Sequence, residues 1–290
     1  HCPHCTKTAP MKVIRNEKSG NSKDELGMRL WDKEDIVTRA DDIFQERLYC
    51  IKWEDIEEGD RFYRAPTADD LKREEKVLTL LTERFNKWQK KGFIPDSMIE
   101  PGEKTDEPIR TRGWRYWHQL FNARQLLVHG LFMENVFNDA KINDAKIIGL
   151  LGINKCCNWN SKLSIWDSTP ASEKGQHTYL NQALNPLYNY SCRSVLSEKT
   201  SWLFNINNYN VNIDECLIRS IDARLNNNTS DIWVTDPPYA DAVNYHELTE
   251  FFLAWDKVLL KEIFPDWYTD SKRALAVAGT GESFNKSMVE

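Results

Sequence analysis

No stretch of the chain comes near the ~20 consecutive apolar residues that a membrane-spanning helix requires, so a membrane protein is not expected. Glycine is scarce, at 12 of 290 residues. The one glycine pair that could suggest a dinucleotide loop, Ala278-Gly-Thr-Gly-Glu282, follows no clear strand and lacks the third glycine of that fingerprint. Positive charge is not in excess either: 38 Lys and Arg stand against 44 Asp and Glu, for a net charge of −6. An all-over polyanion-binding surface is thereby disfavoured, because phosphate affinity needs clustered cations, although a local basic strip is still compatible with the composition. The seven cysteines (2, 5, 50, 156, 157, 192, 216) are odd in number and unevenly spaced. They do not form a disulfide framework, and a reducing, cytoplasmic setting is expected. The chain opens polar, without a secretory leader, and both ends read as cuts within a longer protein.

What the chain does hold is a large globular composition, 41% hydrophobic, with 11 Trp and 10 Tyr. That suffices for a sizeable core in one or two domains. Most of the aromatics belong in that core, and a surplus could line a groove. Cys2-Pro3-His4-Cys5 has the C-x-x-C spacing with which two thiolates grip a zinc ion. A structural zinc needs four ligands, and the next cysteine is Cys50. Cys2 and Cys5 therefore read as half of a zinc ribbon, or as a metal-free turn with two thiols; a redox pair lacks the βαβ context it would need.

Residues 47–64 alternate polar and apolar positions around Glu57-Glu58-Gly59-Asp60, which predicts a β-hairpin. Pro66-Thr67 then opens a long helix with Asp69 and Asp70 in its first turn, and Lys90-Lys91-Gly92 closes it. The next segment, 101–118, reads as a polar loop. Arg110, Arg112 and Arg115 alternate there with Trp114, Tyr116 and Trp117. Guanidinium groups grip phosphates and aromatic faces stack on bases, so this mixture suits a nucleic-acid groove. The alternative is a solvated connector anchored by its aromatics. Two helical stretches follow, 121–133 and 145–153, with His129 expected as a satisfied core histidine. The amide-rich run 154–162, with Asn160 and Lys162, could read base edges or cap helices and turns.

The stretch around which the chain is organised comes late. An apolar run, Ile232-Trp233-Val234, ends in Asp236-Pro237-Pro238-Tyr239, and a periodic helix occupies 246–260. Two prolines can continue neither a ladder nor a helix, since each lacks an N–H and has a fixed φ. The run is expected as a strand, with the carboxylate and the ring held at its carboxyl end, where open α/β sheets place ligands.

Asp-Pro-Pro-Tyr in this setting resembles the D-P-P-Y motif of amino methyltransferases. With Phe44–Tyr49, Arg64–Thr67, Gly102–Trp114, Arg124–Gly130 and Thr235–Trp255, the chain resembles the anti-phage-associated, adenine-specific DNA methylase family, whose members carry a zinc-ribbon-like insertion. The likeness runs over about the whole chain. It implies an α/β fold with a Rossmann-like, S-adenosylmethionine-dependent methyltransferase sheet, a largely helical insertion and a small zinc-ribbon-like element. It implies boundaries at residues 1–65, 66–225 and 226–290 for the ribbon and hairpin, the target-recognising insertion and the part of the core that carries the motif. S-adenosylmethionine is the implied cofactor, with structural zinc at Cys2 and Cys5; double-stranded DNA is the implied partner, beside other defence subunits. In such enzymes the first residue of the motif, here Asp236, accepts a hydrogen bond from the exocyclic amine and the carbonyl of Pro237 accepts another. Pro238 holds the loop rigid, and Tyr239 stacks on the flipped base. Asp in the first position suits adenine N6. Arg110, Arg112, Trp114, Arg115, Asn160 and Lys162 are the expected nucleic-acid contacts. The family's glycine-rich D-P-F-x-G-x-G loop is absent from residues 1–290, and family order puts it upstream of His1. An RNA methyltransferase, a non-catalytic nucleic-acid-binding subunit, or a bare rigid turn at residues 236–239 are the competing expectations.

Overall fold

The computed structural model describes residues 4–15, 27–169, 173–186, 191–203, 219–236, 243–277 and 281–289. Among these, helices dominate: α1 (Met11–Ile14), α2 (Ala68–Lys91), α3 (Asp106–Arg112), α4 (Ala123–Asp139), α5 (Asn143–Trp159), α6 (Val195–Glu198), α7 (Tyr245–Leu248), α8 (Glu250–Ile263) and α9 (Glu282–Val289). The strands β1 (Ile51–Glu54) and β2 (Arg61–Arg64) form one antiparallel pair; β3 (Trp166–Asp167) and β4 (Lys174–Gly175) form another. None of the described helices is long and apolar enough to cross a membrane.

The local chemistry that starts and stops α2 is that of the sequence. Thr67 caps it by accepting from the Asp70 N–H at 3.3 Å, while the Asp70 carboxylate accepts from the Thr67 N–H at 2.9 Å. Each bond satisfies an N–H that the first turn cannot pair within the helix. At the other end Gly92 sits at φ 71°, a left-handed position that a side chain would strain. The expected hairpin also forms, with Lys52 opposite Tyr63 and Trp53 opposite Phe62.

One core joins the helices. α2 packs on α4, α4 on α5, and α5 on α8. Leu81, Phe85 and Trp88 of α2 meet Leu126 and Met133 of α4, Ile153 of α5, and Phe251, Trp255 and Leu259 of α8. Phe121 stacks on Phe251 and meets Trp255 edge-on. Each fully buried large apolar side chain contributes about 1.5–3 kcal/mol, so this aromatic centre anchors α8 to the helical body.

Two segments depart from expectation. The stretch 101–118 is not an open loop: it contains α3, and Trp114 and Trp117 are buried in the core. Aromatic burial orders what its polar residues alone would not. Ile232–Val234, expected as a strand, has no ladder partner among the described residues, and no Rossmann-like sheet is present among them. Ile232 is 80% and Val234 92% exposed.

Candidate functional site

Asp236 lies at the exposed end of that unpaired run. Pro237, Pro238 and Tyr239 lie outside the described residues. From Val243 the chain enters α7, which is held by side-chain and backbone contacts.

The Glu247 side chain of α7 is buried against residues 103–105. Its carboxylate accepts from the N–H groups of Glu103 (3.1 Å), Lys104 (2.8 Å) and Thr105 (3.3 Å). Successive backbone N–H groups converging on one anion form a nest, which gives the carboxylate its compensation away from water. Gly102 is required at the edge of this nest, because a Cβ there would lie 2.5 Å from Glu247 Oε2. A turn further on, Glu250 takes a two-pronged contact from Arg273, Nε to Oε1 at 2.8 Å and Nη2 to Oε2 at 2.9 Å. The same guanidinium donates to the carbonyls of Glu100 and Pro101, and Asn244 donates to Glu103 Oε2 at 3.1 Å. The segment that follows the Asp-Pro-Pro-Tyr motif is therefore bolted to 100–105, across more than 140 residues of sequence. Two of the stretches that carry the family resemblance, Gly102–Trp114 and Thr235–Trp255, meet at this junction.

The expected nucleic-acid contacts divide. Arg110, on the exposed side of α3, is ion-paired with Glu107 and lies 3.8 Å from Asp106. Arg112 lies over the Phe44 ring at 4.5 Å. Arg115 donates to the Trp31 carbonyl at 2.8 Å and reaches Asp32 at 3.2 Å. Trp114, Asn160 and Lys162 are interior, at 2%, 1% and 3% exposure, so as placed they offer no face to a ligand. The structure does bring two of them together, for a structural reason. The Lys162 ammonium sits between Trp31 and Trp114, 4.8 and 4.7 Å from the ring centroids, and is ion-paired with Glu46. Ring faces and one carboxylate replace the water that a buried cation loses. Asn160 is a hub of its own: its Oδ1 accepts from Gln125 and from the Arg193 N–H, and its carbonyl accepts from His129 Nε2 at 2.9 Å.

Cys2 lies outside the described residues. Cys5 is exposed with a free thiol, and among the described residues no group of three or more His, Cys, Asp or Glu could hold a metal. A complete zinc tetrad is thus not present in the described residues. No cradle for S-adenosylmethionine adjoins Asp236 in them either, since neither a sheet nor a glycine loop flanks the run.

The residues at the α7–α8 junction, Glu247, Glu250, Gly102 and Arg273, carry no recognisable motif. The one available signal is a pair of acids three apart on an apolar helix face, at positions that helical spacing points inward. Compared with protein-family models, with curated proteins and with solved structures, the chain matches none.

Proposed function

We propose that the chain is the base-holding part of a methyltransferase that modifies adenine N6 in double-stranded DNA, acting in the cytoplasm in defence against phage. The observation that carries this reading is Asp236-Pro237-Pro238-Tyr239 at the end of the apolar run Ile232–Val234. The run supports it further by its exposure. Three consecutive exposed apolar side chains, Ile232, Trp233 and Val234, fit a strand meant to be covered on both sides, as in parallel α/β sheets.

The chemistry asked of the chain is local. The lone pair of an exocyclic amine is delocalised into its ring, which makes the nitrogen a poor nucleophile. Hydrogen bonds from that amine to the Asp236 carboxylate and the Pro237 carbonyl shift it toward a tetrahedral geometry and orient its lone pair. Tyr239 offers a ring for the flipped base. Pro238 limits the loop to one conformation, so that little ordering entropy is lost on binding. S-adenosylmethionine is the methyl donor in this reading, and its binding falls to residues outside those described. Arg110 and Arg112, on α3 beside the junction that holds α7, are the phosphate contacts of this reading. Cys2 and Cys5 would supply half of a structural zinc site.

A second reading is a non-catalytic nucleic-acid-binding subunit of a methyltransferase complex, whose partner supplies the cofactor. Methyl transfer from labelled S-adenosylmethionine to adenine-containing duplex separates the two. In the first reading the full-length protein transfers label, and Asp236→Asn lowers the rate by about 10²–10³, the scale of losing one transition-state hydrogen-bond partner. An unchanged rate would remove Asp236 from the chemistry. Label transfer only on adding a partner subunit would favour the second reading.

A further inference from the structure

Between α8 and the segment 267–276 lies a groove made of two cavities, of 380 and 280 Å³, that share Thr249 and Lys272. The larger is floored by Phe252 and Leu253 and edged by Asn154 of α5. The smaller is bordered by Ser220, Ile221, Tyr245 and His246. Lys272 stands where they meet. Its ammonium donates to Ser220 Oγ and to the Trp267 carbonyl at 3.1 Å, both neutral acceptors. No carboxylate among the described residues lies within ion-pair distance, whereas the buried Lys162 has both a carboxylate and two rings. A partly desolvated cation with neutral partners is an incomplete arrangement, and its third N–H is still free to donate. Burial alone holds its pKa below the usual lysine value.

The other polar groups define what would complete it. The Asn154 amide donates to Asp256 Oδ2 at 3.0 Å, and its own oxygen has no hydrogen-bond partner. That oxygen is itself buried, so Asn154 serves the groove as an edge to the apolar floor of Phe252 and Leu253. On the far side of Lys272 the Tyr245 ring and the His246 imidazole offer further planar surface.

We propose that this groove binds a nucleoside phosphate unit, with its phosphate on the Lys272 ammonium and its base over Phe252 and Leu253. The unit is a free nucleotide or one residue of a nucleic-acid strand whose neighbour occupies the smaller cavity. The site is distinct from Asp236–Tyr239 and stands whether or not that loop transfers a methyl group.

The test is equilibrium binding to the full-length protein, with AMP, with adenosine as the uncharged control, and with a short single-stranded deoxyadenylate lacking a terminal phosphate. AMP is expected to bind more tightly than adenosine. Lys272→Met should weaken AMP about tenfold, the scale of one charge-assisted contact, and leave adenosine unchanged. Thr249→Phe retains the charge but fills the junction of the cavities, and it should weaken AMP and the oligonucleotide together; circular dichroism confirms that both variants fold. Competition between AMP and the oligonucleotide identifies a strand site, and AMP binding alone identifies a free nucleotide; either supports the proposal. Equal binding of AMP and adenosine would overturn it, as would Lys272→Met binding AMP like wild type. Displacement of AMP by S-adenosylmethionine would also overturn it, by making the groove the cofactor's pocket. Asp236→Asn should not change AMP affinity, so failure of the groove and failure of the methyl-transfer reading are told apart.

Discussion

Lys162 illustrates how one residue type in one sequence context serves opposite ends. Its place in an amide-rich run beside Trp159 invites a phosphate-binding role, yet its ammonium lies in a box of Trp31, Trp114 and Glu46. A cation held this way is sensitive to which partner is removed. Glu46→Gln leaves the charge buried with only ring faces for compensation and should cost about 3 kcal/mol, whereas Lys162→Met keeps the volume, removes the charge with the problem it poses, and should cost about 1 kcal/mol. Urea midpoints of the two variants and of the double variant measure this, and the double variant should resemble Lys162→Met. Equal costs for the two single changes would show that the box does not govern the charge. The sequence made the ingredients visible but not their arrangement. Trp31 and Trp114 are 83 positions apart, and no spacing rule announces that they will enclose a lysine from a third segment. Asn160 was equally opaque: its three hydrogen-bond partners come from α4 and from Arg193.

At the scale of elements, α2 was legible to its ends because its signals are local: Thr67 and Asp70 form the cap, and Gly92 forms the stop. The helix after the Asp-Pro-Pro-Tyr motif was legible as a helix, but its anchor was not. The carboxylate of Glu247 draws on three backbone N–H groups, and backbone groups leave no signature in sequence. That anchor makes a sharp prediction. Glu247→Gln replaces one acceptor oxygen with an NH₂ that opposes the converging N–H groups, so stability should fall by about 2–3 kcal/mol. Hydrogen exchange at Glu103, Lys104 and Thr105 should accelerate far more than exchange in α2, which does not touch the nest. Gly102→Ala should reproduce the local effect, since its Cβ would fall within 2.5 Å of the carboxylate. Exchange at 103–105 that stays at the wild-type rate in both variants would mean that the junction is held elsewhere. The apolar run Ile232–Val234 shows the converse limit. Its residues are those of a strand, but a strand exists only with a neighbour, and the described residues supply none.

For the whole molecule, the buried titratable groups set how stability responds to pH. Burial lowers His118 and His129 to about 4. His118 also feels the charges of Lys162 and Lys33, while His129 is held by the Asn160 carbonyl. Burial raises Asp256 to about 7, with Asn154 donating to it. The unfolded histidines bind protons at about 6.5. Between pH 6.5 and 4 the unfolded chain therefore takes up two protons that the folded chain refuses, and stability falls on acidification. Asp256 acts in the opposite sense. From about pH 4 to 7 it is protonated in the folded chain and ionised in the unfolded one, so its contribution falls as pH rises. Two histidines against one aspartate leave a net uptake of about one proton on unfolding across the overlapping window, or about 1.4 kcal/mol per pH unit from these three groups. Asp256→Asn keeps the shape and the acceptor for Asn154 but removes the ionisation. It should raise stability by a few kcal/mol at pH 8, by distinctly less at pH 5, and steepen the acid limb toward two protons. Denaturant titrations of both proteins at these two pH values read the difference directly. A gain of the same size at pH 5 and pH 8 would mean that Asp256 is not held protonated by its burial between α5 and α8, and that the acid limb has another origin.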